Sequence, residues 1–272
     1  EFRRVLFRSI QIKDSEKVGI IGVNGAGKST FFKLIMGKIQ PDSGKIILKP
    51  GTRIGFLPQV IGDEIPDMDI SVFDFLMDGR PIKKLEEELN ELYEKSSLET
   101  DSKKMEYLLK QIGKIQQKLE YYDVYNAESI LLKIISGMKI DDNLLDMKLS
   151  FLSGGQKSKV AFARLLYSNP EIMLLDEPTN HLDVDTKDYI ISYLSNYKGM
   201  IMVISHDIDF LDQVTTQTLY VDKNKHTMEL FPGNYEKYMK IRNERLKTQE
   251  RLFEKQHNEE EKLKRIINKY QH

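Results

Sequence analysis

The spacing of glycine, lysine and serine in GVNGAGKST, residues 22–30, suits chemistry on a bound polyphosphate. Gly22, Gly25 and Gly27 let the main chain curl until successive N–H groups point inward, and a helix starting at the loop's end adds positive potential for phosphate oxygens. Lys28 is then placed to reach the β- and γ-phosphates, and the Ser29 hydroxyl is the expected Mg²⁺ ligand, because magnesium takes oxygen donors and keeps several waters. Val23, Asn24, Ala26 and Thr30 complete the candidate phosphate-binding loop. A second centre lies in EIMLLDEP, where Asp176 emerges at the carboxyl end of an apolar run, the edge at which open α/β sheets bind ligands. Asp176 can hold the same magnesium through water. Adjacent Glu177 is placed to orient or deprotonate an attacking water; on its own it would read as an acidic residue leading a helix. The third centre is LSGGQ, residues 152–156. Ser153 is a natural N-cap, Gly154 and Gly155 leave N–H groups uncovered at a helix start, and Gln156 closes a second anion-binding motif. Alone, S-G-G is a common turn.

These residues meet only if the surrounding elements form a layered α/β fold. KVGII reads as a strand leading into the loop and FFKLIMGKI as the helix that follows it. EIMLLD, MIMVIS and TLYVD read as further strands, with ARLLYS and YIISYLSNY as helices, and that alternation predicts a mostly parallel sheet of P-loop type. KIILK and RIGFL, separated by Pro50 and Gly51, predict a small antiparallel β layer. Between the halves, about residues 81–122, Ile82, Leu85, Leu89 and Leu92 recur at helical spacing, as do Met105, Leu108, Ile112, Ile115, Leu119 and Tyr122. Two such narrow seams around polar SSLETDS predict a helical subdomain with a coiled-coil-like antiparallel hairpin. Near-balanced charge makes the hairpin's outer surface a solvated face. After Pro232 and Gly233, with Asn234 as N-cap, a charged helix is expected to run to the end, richer in lysine and arginine than in acids.

Composition narrows the function class. At 272 residues the chain can bury a sizeable core, and no run approaches the roughly 18–20 apolar residues that cross a bilayer. The formal charge of −1 gives no overall attraction to nucleic acid, so any basic surface must be local. The absence of cysteine excludes disulfides and thiolate metal sites and fits a cytoplasmic location. Residues 1–9, EFRRVLFRS, hold three of the ten arginines in a chain that otherwise prefers lysine. They read as a non-native segment standing in place of the natural start. Without a C-cap glycine, the final helix reads as cut inside a longer one.

With the P-loop upstream and LLDEP downstream of LSGGQ, residues 10 to about 231 resemble the ATP-binding cassette (ABC) superfamily. The resemblance implies an ATPase. It makes Gln59, in FLPQ, the glutamine that senses magnesium and the attacking water, and His206, in VISHD, the histidine that contacts the γ-phosphate. His181, Leu182 and Asp183 resemble the loop that communicates between the two sites of a cassette dimer. It also implies a composite site, ATP on one P-loop capped by the signature helix of a second cassette. That cassette is either a missing C-terminal half or a second copy of this chain.

PTNHLD at 178–183, SHDIDFL at 205–211, PGNY at 232–235 and the helical insertion resemble the ABC-F branch, soluble twin-cassette proteins acting on ribosomes. Residues 232–272 would then begin the linker between cassettes, with ribosomal RNA and tRNA as partners. The implied role is in translation or in antibiotic-resistance ribosome protection. The other reading is the ATPase subunit of an ABC membrane transporter, which shares every nucleotide motif. Ile208 stands where ABC-F members commonly carry arginine, and the upstream aromatic that stacks on adenine falls within residues 1–9.

Overall fold

The computed structural model describes residues 9–60, 69–180 and 182–270, and side chains of those residues up to 262. The chain alternates strands and helices: β1 (Lys17–Ile21), α1 (Lys28–Ile35), β2 (Ile54–Leu57), α2 (Val72–Met77), α3 (Ile82–Leu98) and α4 (Ser102–Tyr121). These are followed by α5 (Ala127–Gly137), α6 (Asp142–Leu145), α7 (Gly154–Ser168), β3 (Ile172–Asp176), α8 (Val184–Asn196) and β4 (Met200–Ile204). Last come α9 (Ile208–Val214), β5 (Gln217–Asp222), β6 (Thr227–Pro232) and α10 (Tyr235–Tyr270).

The strands form one six-stranded sheet in the order β2-β3-β4-β1-β5-β6. Every pairing is parallel except β5 with β6. Parallel strands covered on both faces must be apolar throughout, and all five residues of β1 and of β3 are buried. Alternate β3 residues serve opposite faces. Ile172 and Leu174 join Val18, Ile20 and Phe32 on the α1 side. Met173 and Leu175 join Phe162, Leu166, Ile190 and Phe210 on the other.

The antiparallel component is not where KIILK and RIGFL placed it. Ile54–Leu57 pairs in parallel with β3, residues 45–49 take no regular structure, and the antiparallel pair is β5–β6. A strand needs a neighbour to receive its main-chain hydrogen bonds. Residues 45–49 have no such neighbour among the described residues, and Ile47 is 76% exposed.

Helices α3 and α4 pack along each other as a hairpin, with Ile82, Leu85, Ile112, Ile115 and Leu119 buried in the seam. The Asp101 carboxylate caps α4, accepting hydrogen bonds from the N–H groups of Lys103 (2.8 Å) and Lys104 (3.0 Å).

Asn234 caps α10 by accepting from the Lys237 N–H at 3.3 Å. Tyr238, one turn on, is 1% exposed, with its ring edge-on to Phe231 at 5.0 Å and stacked on Tyr220 at 5.8 Å. Arg245 pairs with Glu229 at 2.7 Å and covers the Phe231 ring. From Arg251 to Lys262 every side chain is exposed. Docking of α10 therefore rests on its first three turns. Tyr238→Ala is expected to lower unfolding stability by about 3–5 kcal/mol, as for other buried aromatics truncated to alanine. Chemical denaturation followed by circular dichroism measures the loss; a loss under about 1 kcal/mol would contradict this docking.

Candidate nucleotide site

Strand β1 delivers the chain into the glycine-rich loop beside β5, with Ile21 opposite Tyr220. A Cβ on Gly22 would lie 2.6 Å from the Val221 carbonyl oxygen, so only glycine allows this approach. Gly27, at φ 98°, caps α1 in the left-handed region that side chains avoid. Lys28 opens α1 and is buried; its Nζ donates to the carbonyls of Gly22 (2.8 Å) and Val23 (3.3 Å), across the mouth of the loop.

The adjacent Ser29 hydroxyl donates to Asp176 Oδ2 at 2.9 Å. The sheet brings these two together although 147 residues separate them, because β3 lies two strands from β1 and both end at the same edge. The donor set fits magnesium: one hydroxyl and one carboxylate, both hard oxygen ligands. Among the described residues no group of three or more His, Cys, Asp or Glu side chains could enclose a metal. Magnesium suits such an arrangement, since it retains waters and phosphate oxygens in its shell.

Glu177 is buried at 8% exposure and has φ 52°, a left-handed conformation that costs a residue with a side chain about 1–3 kcal/mol. Two contacts hold it there. Its N–H donates to the Ile204 carbonyl at 2.8 Å, and its Oε2 accepts from the His206 N–H at 3.2 Å. The His206 ring places Nε2 3.4 Å from Glu177 Oε1 while remaining largely exposed. The β3–β4 register, with Asp176 opposite Ile204, makes this meeting of Glu177 and His206.

Gln59 follows β2, and Leu57 is opposite Leu175, so Gln59 emerges at the same edge as Asp176 and Glu177. Its side chain is exposed, and among the described residues no hydrogen bond joins it to Ser29, Asp176 or Glu177.

The LSGGQ residues, which the ABC resemblance makes the signature motif, begin a different helix from the one that follows the loop. Ser153 and Gln156 form a capping box at the start of α7: the Ser153 N–H donates to Gln156 Oε1 at 2.8 Å, and the Ser153 hydroxyl accepts from the Gln156 N–H at 3.4 Å. A Cβ at Gly154 or Gly155 would meet nothing within 4 Å, so this helix start is open to an incoming anion. No hydrogen bond among the described residues links residues 153–156 to the glycine-rich loop. His181 lies outside the described residues, as do residues 1–8 of the stretch 1–9 in which the resemblance places the adenine-stacking aromatic.

The sequence reading missed an ion pair that ties the signature helix to Asp183. Lys159 Nζ lies 2.9 Å from Asp183 Oδ2, and Thr186 donates to Asp183 from its N–H. Hydrogen bonds from Lys159 and then Thr186 hold the Asp183 carboxyl well below the usual carboxylate range. In the sequence Lys159 is one cation in a polar helix face, and nothing local marks its partner.

A mostly parallel sheet with its phosphate loop, hydroxyl–carboxylate pair and acidic residue at one edge is the frame of a P-loop ATP-binding cassette. Residues 8–180 match the family model described as ABC transporter, and residues 221–272 match a second model of the same description. The chain belongs to the ABC transporter family of ATP-binding cassettes, and ATP hydrolysis is that family's activity. It is 37% identical over 270 residues to the ABC transporter ATP-binding protein YfmM of Bacillus subtilis, covering 98% of this chain and 50% of YfmM. It is 32% identical over 265 residues to ABC transporter F family member 2 of Arabidopsis thaliana, covering 95% of this chain and 38% of the relative. The chain thus spans half or less of these relatives.

The fold matches that of the archaeal ribosome recycling factor aABCE1, solved with the archaeal ribosomal stalk protein aP1. The TM-score is 0.54 and the identity 22%, over 84% of this chain and 36% of that one. It also matches a bacterial ABC transporter cassette solved as a dimer, with TM-score 0.50 and 22% identity over 79% of this chain and 84% of that one. Among the described residues no helix is long and apolar enough to cross a membrane.

Proposed function

We propose that the chain binds Mg-ATP at Gly22–Thr30 and hydrolyses it in a composite site completed by a second cassette, in an ABC-F-type cytoplasmic protein whose ATP cycle is coupled to ribosome binding. The carrying observation is the separation of two half-sites within one chain. Ser29, Asp176, Glu177 and His206 gather at one sheet edge, whereas among the described residues no hydrogen bond joins the open anion site at Ser153–Gln156 to them. In a composite site Lys28 binds the polyphosphate, Ser29 and Asp176 hold magnesium, Glu177 and Gln59 orient water, and His206 positions the acid. Residues 153–156 serve the opposite site.

Two observations support the ribosomal branch over a transporter subunit. The α3–α4 hairpin is inserted between the two halves of the nucleotide site in sequence, and α10 continues past the sheet as a helix in which lysine and arginine outnumber the acids over residues 240–269. The relatives include an F family member, and aABCE1 is a ribosome recycling factor.

Full-length protein carrying Glu177→Gln is expected to co-sediment with ribosomes in Mg-ATP and to be released as salt rises. Each phosphate contact made by a lysine or arginine contributes roughly 0.7–0.9 to the log–log salt slope. Absence of ATP-dependent sedimentation would remove the ribosomal reading and leave the transporter ATPase.

A further inference from the structure

The carboxyl end of α7 is held in an unusual way. A helix leaves its last carbonyls without intrahelical donors, and water or a tight turn normally serves them. Here five consecutive carbonyls at and just beyond the end of α7, those of residues 166–170, each accept from a side chain distant in sequence. Leu166 accepts from Tyr193 Oη (2.9 Å), Tyr167 from Arg80 Nε (2.7 Å), and Pro170 from Tyr197 Oη. Ser168 and Asn169 both accept from Arg53, at 3.1 and 2.8 Å. Two guanidinium groups at a helix C-terminus also complement its dipole.

The same two arginines hold the last residues of the α3–α4 hairpin. Arg80 Nη1 donates to the Tyr122 carbonyl at 2.7 Å, and its guanidinium covers the Tyr167 ring at 4.5 Å. Arg80 is 7% exposed, and among the described residues no carboxylate pairs with it, so carbonyls and a ring face carry its charge. Arg53 Nη2 donates to Tyr121 Oη at 2.9 Å, and its guanidinium lies over the rings of Tyr121 and Tyr122 at 5.3 and 5.2 Å. Glu171, next to β3, receives both Arg53 and the Tyr121 hydroxyl on Oε1, at 3.2 and 2.7 Å. Three bodies therefore meet at one cluster: the hairpin base, the end of the signature helix, and the sheet through Arg53 and Glu171.

We propose that Arg53 and Arg80 are positioning residues that latch the hairpin base to the end of the signature helix at the sheet edge, so that hairpin and signature residues turn as one body about this shared anchor. The lever is rigid enough. Helix α7 has 15 residues, about 22 Å at 1.5 Å per residue, with the signature at one end and the latch at the other. A displacement of the hairpin is thereby delivered to Ser153–Gln156, the residues that complete the opposite site. This rests on the composite-site reading for its catalytic consequence, but not for its geometry.

The test uses the full-length protein in a cysteine-free background, with paired spin labels at Lys103→Cys on the hairpin and Lys157→Cys in the first half of α7. A single narrow distance distribution is expected with and without Mg-ATP, broadening when Arg53→Gln or Arg80→Gln is introduced. Arg53→Gln and Tyr121→Phe alter a solvent-accessible part of the cluster and keep the test readable where Arg80→Gln fails to fold. ATP turnover by Arg53→Gln should show kcat lowered about 5- to 10-fold with KM within twofold, the loss of one to a few hydrogen bonds to a charged group in the active geometry. Arg80→Lys should restore part of the narrow distribution. Unchanged distributions in both arginine variants would overturn the latch, as would an unchanged kcat in Arg53→Gln. A parent protein that hydrolyses no ATP would count against the composite-site reading while leaving the distances to decide the latch.

Discussion

Glu177→Gln is expected to lower ATP turnover by about two to four orders of magnitude while leaving Mg-ATP affinity within a few-fold of the parent, since a positioned general base is worth about that much. Glutamine keeps the volume of glutamate and can still accept the His206 N–H now received by Oε2 at 3.2 Å. The Ile204 carbonyl still holds residue 177 in its left-handed conformation through the main chain. What disappears is the carboxylate, and with it the capacity to take a proton from water or to pair with His206. Phosphate release under single-turnover conditions, set beside titration of a fluorescent nucleotide analogue, separates the two quantities. Turnover within fivefold of the parent would assign the water-activating role to another residue. A parallel loss of affinity would mean that Glu177 shapes the loop rather than the reaction.

His206 sharpens that expectation. Its ring nitrogen lies 3.4 Å from Glu177 Oε1, while its main-chain N–H holds the other carboxylate oxygen. The histidine therefore orients the acid through the main chain even when the ring is removed. Loss of the ring by itself should impair turnover less than loss of the carboxylate, because only one of the two contacts goes.

Legibility in the sequence followed the range of the interaction. KVGII, EIMLLD and MIMVIS are short apolar runs bounded by glycine, proline or acidic residues, so each announces a buried parallel strand, and the glycine spacing of 22–29 announces a loop that curls. The hairpin announced itself by two seams at helical spacing, because α3 and α4 bury little besides each other. Residues 45–49 misled for the opposite reason: the apolar run Ile46–Leu48 between two lysines favours extended chain, but whether a strand forms is decided by a neighbour, and sequence spacing does not reveal neighbours. The β6 strand, with Pro232 at its end and mixed polarity, carried little signal of its own and is set by its pairing with β5. Contacts made across long separations divided. The expected shared magnesium already paired Ser29 with Asp176, and strand order supplies the physical means, whereas the capture of α7's carbonyls by Arg53 and Arg80 follows only from the folded packing.

Lys28→Ala is expected to weaken Mg-ATP binding about 100-fold, with little effect on stability. Lys28 Nζ donates to the carbonyls of Gly22 and Val23, so its charge is aimed across the loop that the glycines open. Hydrogen bonds to charged groups contribute about 1.5–3 kcal/mol each, and one strong contact or two weaker ones to a polyphosphate reach the 2.7 kcal/mol that corresponds to 100-fold. The fold itself asks little of the side chain. The loop's shape is fixed by Gly22 against Val221 and by Gly27 at the helix cap, neither of which involves the ammonium group. Alanine is also the strongest helix former, so the first turn of α1 is retained. Isothermal titration with Mg-ATP and a thermal melt of the same sample check both halves. Affinity within fivefold of the parent would place the phosphate-binding charge elsewhere. A large drop in melting temperature would mean that the two carbonyl contacts, and not a nucleotide, are what Lys28 chiefly serves.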